Sequence, residues 1–382
     1  MSEYTFLLIV FLSLFNCKNR EPRTINTAFH HWKSHLAITN FEKDYCQNIN
    51  ANTLYLRLFD VDYNTLNKFA EPISELMINE KGLMPFDKII PTVFITNRTL
   101  IQLNNNQIDS LSTLISIKLG QITEGSVLNN SKLKNDNFNL KNNNQQLNNN
   151  SFNNKINEIL IDCDWTATTK TKYFQLIKQL KTQLNKSNAQ SNKQLQLTTT
   201  IRLHQIKFKG KTGIPPADKG LLMAYNTGDL NDPQTINSIL DINVLKEYLS
   251  GLKTYPLLLD IALPLFSWGI VKRDGQAVQL IPNFNSDFLL KNDKNTEGAY
   301  FDNKNDNTVS ILKSGYYNGY YLYADDVIKI ETININTLQQ AATLLSEHVN
   351  NKQLTVSFFS LDSVNLKRYN ANDLMDVANR FK

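Results

Sequence analysis

Two aspartates at alternate positions end a short apolar run in the segment EILIDCDWT, residues 158–166. Asp162 and Asp164 share one face of the predicted strand, while Ile161 and Cys163 share the other. Paired carboxylates at the end of a buried strand can act as a general acid and a general base, or they can shape a polar binding site. These two aspartates are therefore the first candidates for catalytic residues.

Further carboxylates stand in other apolar segments of the same kind: Asp60, Asp62, Asp260 and Asp362. The first three are candidate catalytic acids, because neighbouring carboxylates raise the pKa of a carboxyl group. Asp362 is predicted to contact a ligand. An aspartate after a buried strand also often caps the next helix or holds a loop, and this structural role stays open for each of them.

Eight short apolar segments recur along the chain, and segments with helical spacing of apolar residues lie between several of them. The predicted strands are 27–35, 53–62, 89–96, 158–164, 197–206, 220–226, 256–263 and 354–362, and the predicted helices are 107–122, 169–184, 238–252 and 337–349. This alternation predicts parallel strands. Eight such units favour a (β/α)8 TIM-like barrel, with an open doubly wound sheet as the alternative. In a barrel, function lies at the carboxyl ends of the strands.

Alternation along the predicted strand 197–206 turns Arg202 and His204 inward. Arg202 is a candidate substrate-binding residue; the alternative is that it only neutralises Asp162 or Asp164, because a buried charge needs a partner. His204 is either a core histidine or a group that binds a ligand or transfers protons. Adjacent residues of a strand point to opposite faces, so His30 and His31 make a poor metal pair, and no metal or other cofactor is expected.

The first residues include an apolar run, YTFLLIVFLSLFNC, that ends at Cys17. This pattern resembles a bacterial lipoprotein signal, in which the cysteine is lipidated. It predicts a signal peptide at 1–17, a polar tether at 18–26 and a barrel domain at 27–382. The protein is then expected to be lipid-anchored in the cell envelope, at the outer membrane. An uncleaved or simple secretory leader is the alternative.

Two internal segments stand apart from the barrel pattern. Residues 129–154 are rich in asparagine with few apolar residues, which predicts a disordered loop. Residues 272–330 hold several tyrosines and are predicted to form a β-rich flap inserted before the last helix and strand. The net charge of +5 over 382 residues is modest and scattered, so nucleic acid is not expected as a partner.

Two of the segments resemble motifs of family 18 glycosidases, the chitinase-like barrels. IDCDWT is similar to their Asp-x-Asp-x-Glu end, and LLMAYNTG to their Met-x-Tyr-Asp/Asn segment. The resemblance implies that Asp162 and Asp164 are the paired aspartates. It also implies a sugar subsite lined by Met223, Tyr225 and Asn226.

The resemblance fails at the catalytic position, where the family's glutamate is replaced by Thr166. A threonine hydroxyl cannot protonate a leaving oxygen as that glutamate does. Glu158 does not substitute for it, because it precedes Thr166 by eight residues, about 26 Å along a strand. Over most of the chain, the sequence also resembles a family of bacterial envelope lipoproteins without a known activity.

Two functions are compatible with these residues. In the first, the protein is a glycan-acting enzyme whose acid comes from elsewhere on the rim. In the second, it is a non-catalytic barrel that binds a glycan or another envelope component, with flat aromatic faces from Trp32, Trp165, Trp268 and Tyr225. Carboxylates about 5–9 Å apart across an open cleft would favour hydrolysis, and carboxylates all locked to arginine or lysine would favour binding.

Overall fold

The structure, a computed structural model, describes residues 23–78, 85–124, 154–188, 195–284, 300–305 and 307–382. The predicted signal peptide and all but the last residue of the predicted asparagine-rich loop lie outside these ranges. In the described ranges, none of the helices combines the length and the apolar character needed to cross a lipid bilayer.

Eight parallel strands form a closed barrel, and each pairs with the next along the chain. The strands are β1 (Thr24–His31), β2 (Ala51–Asn64), β3 (Lys88–Ile95), β4 (Glu158–Cys163), β5 (Gln196–Arg202), β6 (Lys219–Met223), β7 (Leu259–Pro264) and β8 (Gln353–Phe359). Strand β1 pairs with both β2 and β8, which closes the sheet. The predicted (β/α)8 barrel is confirmed, and the open sheet is excluded.

Helices follow the strands and pack on the outside of the barrel. They are α1 (Asn40–Asn48), α2 (Asn97–Gln102), α3 (Asn105–Glu124), α4 (Lys170–Asn188), α5 (Leu203–Lys207), α6 (Lys209–Thr212), α7 (Ile242–Tyr248), α8 (Ile335–Ser346), α9 (Ser363–Leu366) and α10 (Ala371–Asn379). Helix α1 begins with a capping box, in which Thr39 and Glu42 satisfy each other's backbone N–H groups. Short strands outside the barrel are His35–Leu36, Phe69–Ile73 and Met77–Ile78.

Several predicted boundaries differ from the structure, among them the end of the strand predicted at 197–206 and the range of the predicted tether 18–26. The predicted strand 197–206 ends at Arg202 and continues directly into α5, where the Gln205 side chain accepts a hydrogen bond from the Arg202 N–H at 2.7 Å. The predicted tether 18–26 is shorter than expected, because β1 begins at Thr24 and pairs there with Gln353 of β8. The barrel therefore starts three residues earlier than predicted.

The predicted β-rich insertion is confirmed, with slightly wider bounds. Five strands form its main sheet: Trp268–Arg273, Gln276–Pro282, Tyr300–Asn305, Thr308–Lys313 and Val327–Glu331. A small hairpin, Gly315–Tyr317 with Tyr320–Leu322, lies beside it. The insertion has its own apolar core, and Arg273 donates two hydrogen bonds to Asp326. We name residues 268–331 the insertion sheet; it leaves the barrel from the carboxyl end of β7.

Side chains fill the interior of the barrel, as is typical of this fold. Buried residues from six strands meet there: Ala28, Tyr55, Ile90, Leu160, Leu221, Met223 and Ala262. A larger apolar cluster lies between the strands and the helices. The lumen is therefore a packed core, and a ligand can reach the strands only at their ends.

Candidate functional site

Polar and aromatic side chains form a layer at the carboxyl ends of β2 to β5, the mouth of the barrel. Asp60 is in register with Phe94, and Phe94 is in register with Asp162. On the next strand, the Thr200 hydroxyl donates a hydrogen bond of 2.7 Å to Asp162. The structure thus brings Asp60 and Asp162 to one level of the mouth, as their strand positions predicted.

Arg202 is the centre of this layer. Its guanidinium forms an ion pair with Asp164 and lies 3.9 Å from Asp162. Burial raises the pKa of Asp162, and Arg202 opposes that shift. Although burial lowers the pKa of Arg202, Asp162 and Asp164 raise it above its usual value. This geometry agrees with the alternative in which Arg202 neutralises the aspartates, and its role in substrate binding stays a prediction.

A second ion pair, between Arg57 and Asp60, depends on an irregularity in β2. The pairing with β3 shifts by one residue between Arg57 and Phe59. Without such a bulge, residues three apart would point to opposite faces of the strand. The bulge instead turns both side chains to the same side, where Nε and Nη2 of Arg57 each donate a hydrogen bond to one oxygen of the Asp60 carboxylate.

Aromatic rings surround the two ion pairs. The Trp32 ring lies 5.4 Å from Phe359 and 6.2 Å from Phe94, between ring centroids. Tyr225 lies 5.9 Å from Phe359, and Phe266 contacts both at 5.7 and 6.0 Å. We name these five residues the aromatic lining. All except Tyr225, which is buried, are partly exposed and therefore accessible to a ligand.

Sequence reasoning missed Arg57, Phe94, Phe266 and Phe359. Alternation along the predicted strands turns Phe94 and Phe359 toward the lumen, and this signal could have identified both. Arg57 also orients the lining, because it donates a hydrogen bond of 3.2 Å to the Trp32 carbonyl and its guanidinium lies 5.5 Å from the Trp32 ring centroid. The cation is therefore held over the ring.

The three residues of the Met-x-Tyr-Asn segment occupy different depths. Met223 is buried in the lumen below the mouth. The Tyr225 ring belongs to the aromatic lining, and burial raises the pKa of its hydroxyl. Asn226 is exposed at the rim with a φ of 56°, a left-handed conformation that asparagine tolerates better than most residues. Tyr225 and Asn226 thus lie at the mouth, while Met223 supports it from below.

His204 lies on α5 and not on a strand. Its side chain is exposed, so it is not a core histidine. Partial burial and the charge of Arg202 lower its pKa. The residue therefore stands at the rim near Arg202, outside the lumen to which alternation had assigned it.

Of two further predicted tryptophan faces, Trp165 and Trp268, only the Trp268 ring lies beside the aromatic lining, 5.3 Å from the ring of Phe266. Trp165 is fully buried, stacks on Tyr173 at 4.9 Å and donates a hydrogen bond to the Thr212 carbonyl. It packs between strand and helix, because the alternation of β4 stops at Cys163. Trp268 is partly exposed in the insertion sheet, where its indole N–H donates to Glu331 at 3.0 Å. Trp165 cannot stack on a ligand.

Two of the rim aspartates hold local structure. Asp62 accepts hydrogen bonds from Thr96 and Arg98, and these partners keep its pKa below the usual value against the effect of burial. Asp362 caps α9 through the Val364 N–H and forms an ion pair with Lys33 at 2.8 Å. Their side chains are therefore already engaged in the fold.

The prediction of Asp260 as a catalytic residue of the rim was wrong. Asp260 is the second residue of β7, so it lies at the amino end of the barrel. There Lys219 contacts Asp260 at 2.5 Å and Glu158 at 3.2 Å, and Lys88 contacts Glu158 at 2.7 Å. These four buried or partly buried charges form an ion network at the amino end of the barrel. The network can stabilise the fold, but it cannot contact a ligand at the mouth.

Thr166, at the position of the family 18 glutamate, begins the turn into α4. Its N–H donates to the Thr169 hydroxyl at 2.9 Å, and its own hydroxyl contacts Thr168 at 2.8 Å. Thr169 in turn donates to Asn97. Thr166 is exposed, and its hydrogen bonds stabilise the turn before α4. Its hydroxyl cannot act as a general acid at neutral pH.

His30 and His31 point to opposite sides of β1, as predicted. His30 stacks on Tyr55 at 4.5 Å in the lumen, and it contacts the Ser357 hydroxyl at 3.0 Å. Among the described residues, neither ring nitrogen of His31 has a hydrogen-bond partner. Burial lowers the pKa of His30 to about 3 and that of His31 to about 4. Within the described ranges, no group of three or more potential metal ligands occurs.

The two buried histidines predict acid destabilisation. Both are neutral in the folded protein, and both gain a proton near pH 6.5 when the chain unfolds. Each should therefore remove about 1.4 kcal/mol of stability per pH unit as pH falls from about 6.5 toward 5. Urea unfolding of a His31→Gln variant should show a shallower pH slope than wild type. An equal slope in the two proteins would contradict the assignment.

Comparisons with solved structures find the same barrel fold in a spore cortex-lytic enzyme and in a chitinase. The spore cortex-lytic enzyme SleL of Bacillus megaterium QM B1551 matches with a TM-score of 0.52 at 13% identity, over 94% of this chain and 75% of that chain. A chitinase of Chromobacterium violaceum ATCC 12472 matches with a TM-score of 0.52 at 10% identity, over 93% and 98%. No family model matches the sequence, and no curated protein matches it. Identities this low establish the fold, and the activity must be argued from the site.

Proposed function

We propose that the protein binds a glycan at the mouth of its barrel without cleaving it, and that a lipid anchor at Cys17 holds it in the cell envelope. One observation carries the first part. In the described chain, each strand-end carboxylate at the mouth forms an ion pair with arginine or lysine. The pairs are Asp60 with Arg57, Asp62 with Arg98, Asp162 and Asp164 with Arg202, and Asp362 with Lys33.

A general acid must hold a proton and must reach the leaving oxygen. Burial raises the pKa of Asp162, which favours the proton, but its side chain is only 4% exposed and lies below Arg202. Asp164 is accessible, at 52% exposure, yet its carboxylate is held by Arg202. Neither aspartate meets both requirements, and Thr166 cannot replace them.

The aromatic lining supplies what glycan binding needs. The apolar faces of a sugar ring stack on flat side chains, while carboxylates and guanidinium groups bond to its hydroxyls. Trp32 provides a partly exposed ring beside Arg57, and Phe359 and Phe266 provide partly exposed rings beside Tyr225. One of the similar structures is a chitinase, so chitin oligosaccharides belong in the first panel of bacterial and host glycans to be tested.

Replacing Trp32 with alanine should weaken glycan binding by about 10- to 100-fold, since a central tryptophan typically contributes about 1.5–3 kcal/mol. Titration calorimetry of the barrel domain with the best ligand of the panel measures this change. Tyr316, 71% exposed on the insertion sheet, is the matched control, and Tyr316→Ala should bind like wild type. Equal affinity of both variants, or no ligand in the panel, would remove the support for a glycan site at the mouth.

The envelope part of the proposal is supported by the apolar run that ends at Cys17, followed by a short polar segment. Two acyl chains on a cysteine anchor a protein stably in a bilayer. The full-length protein should therefore sediment with membranes, and a protein that begins at residue 23 should not.

A further inference from the structure

Lysine side chains from three segments lie together on the outside of the barrel, where α4, α6 and the chain after α7 meet. The Lys170 ammonium donates a hydrogen bond of 2.7 Å to the Lys211 carbonyl. Lys209 donates hydrogen bonds of 2.7 and 3.1 Å to the hydroxyl and the carbonyl of Thr254, which brings the adjacent Lys253 to the same place. The fold therefore gathers lysines that are dispersed in the sequence. We name the following residues the lysine patch: Lys170, Lys207, Lys209, Lys211 and Lys253.

Most of the positive charge of the lysine patch is not compensated by the protein. Lys207 forms an ion pair with Glu247 at 3.3 Å. The other four lysines form no ion pair with a described carboxylate. The hydrogen bonds of Lys170 and Lys209 go to neutral oxygens, and the remaining two residues are exposed. A surface with several uncompensated charges of one sign attracts a ligand of the opposite sign.

An exposed aromatic ring lies among these charges. Phe208 is 48% exposed, and the Lys207 ammonium lies 5.9 Å from its ring centroid. The same ammonium lies 5.0 Å from the ring centroid of Tyr248, which is partly exposed. The lysine patch therefore combines cations with a flat apolar surface.

The lysine patch adjoins the mouth on the side of Asp164. The Trp165 indole N–H donates to the Thr212 carbonyl at 3.2 Å, which joins the end of α6 to the residue after Asp164. The Phe208 N–H donates to the His204 carbonyl at 2.9 Å, so about 6 Å of helix separates the patch from the exposed His204 at the rim. A ligand chain that leaves the mouth over His204 meets the Phe208 ring and the lysines next.

From this arrangement we propose that the glycan bound at the mouth is anionic, and that its chain continues over the lysine patch, where the ammonium groups bind its carboxylates. The inference rests on the glycan site of the proposed function and adds the charge of the ligand. A sugar ring can stack on Phe208 as on the aromatic lining, while the lysines attract the negative groups beside it. A neutral glycan of the same backbone lacks the second set of contacts.

Titration calorimetry of the full-length protein with matched oligosaccharides tests this inference. The anionic probes are a peptide-free peptidoglycan strand and a hyaluronate oligosaccharide, and the neutral probes are the same chains with every carboxylate converted to an amide. The test variant is Lys211→Gln, Lys253→Gln, because both residues are exposed and neither ammonium group has a described partner in the fold. The matched control is Lys186→Gln, Lys382→Gln, which removes the same charge at the amino end of the barrel.

We expect at least one anionic probe to bind about 5- to 10-fold more tightly than its amide at about 0.1 M salt. This difference should disappear near 1 M salt, where charges are screened within about 3 Å. The test variant should lose most of the difference and bind the amide like wild type, whereas the control variant should keep it.

Equal affinity of the two members of both pairs, or the same loss in the control variant, would overturn the inference. Binding of a neutral chitin oligosaccharide is measured beside the pairs. If chitin binds at the mouth, such a result overturns only the charge of the ligand. If chitin and all four probes fail to bind, the glycan site of the proposed function is overturned as well.

Discussion

Replacing Arg202 with methionine is expected to destabilise the folded protein by about 3–5 kcal/mol, because removal of one partner leaves a buried charge uncompensated. The Asp162 side chain is only 4% exposed, and Arg202 is its cationic partner at 3.9 Å. Asp164 contributes less to this loss, since its side chain is 52% exposed. Urea unfolding at neutral pH measures the change.

Two further variants show whether the stability loss of Arg202→Met comes from the buried charge of Asp162. Arg98→Met removes the exposed partner of Asp62, so it should cost at most about 1 kcal/mol. Arg202→Met combined with Asp162→Asn should recover part of the loss, because the buried charge is gone. Without Arg202, the pKa of Asp162 rises further, so the folded state takes up a proton at higher pH than the unfolded chain. The stability of Arg202→Met relative to wild type should therefore recover as pH falls. A cost no greater than that of Arg98→Met would contradict the network.

Replacing Lys219 with methionine should also cost about 3–5 kcal/mol, at the opposite end of the barrel. Lys219 contacts two carboxylates, Glu158 and Asp260, whose side chains are 1% and 2% exposed. Burial raises the pKa of Asp260, whereas Lys219 and Lys88 hold the pKa of Glu158 below its usual value against burial. Loss of the shared lysine leaves Asp260 buried without a cationic partner, while Glu158 keeps Lys88, so Asp260 must then be protonated or solvated.

The glycan affinity of Lys219→Met shows whether the ion network at the amino end of the barrel is separate from the binding site at the mouth. Under conditions where Lys219→Met is folded, it should bind the glycan like wild type, because none of its contacts reaches the mouth. Lys181→Met, which breaks the more exposed pair with Asp218, is the matched control and should cost little stability. A large loss of glycan affinity in folded Lys219→Met would contradict the assignment of Asp260 to a structural role.

The barrel could be predicted from the sequence because its signal is repeated eight times, so errors at single boundaries do not change the class of fold. The predicted position of a single side chain, in contrast, depends on where its strand begins and ends. The strand predicted at 256–263 begins at Leu259, which moves Asp260 from the predicted rim to the amino end. Trp165 follows the end of β4, where alternation no longer applies, and the turn directs it into the core.

The ion pairs of the mouth show a second limit. Arg202 and its two aspartates could be predicted, since all three follow regular alternation on neighbouring strands. The pair of Arg57 and Asp60 could not, because it requires the irregularity in β2, and no turn or glycine signal marks that position. The aromatic lining joins residues of five segments, and only the closed barrel brings them together.

The most direct test of glycan recognition without hydrolysis is to measure bound ligand and released product in one sample. The barrel domain is incubated with the best ligand of the panel at saturation, and both quantities are followed over time beside an Asp162→Asn, Asp164→Asn variant. We predict that wild type binds the ligand and that the amount of intact glycan stays constant. Product that accumulates with wild type and disappears with the variant would contradict this account and would show that the mouth catalyses hydrolysis through its paired aspartates.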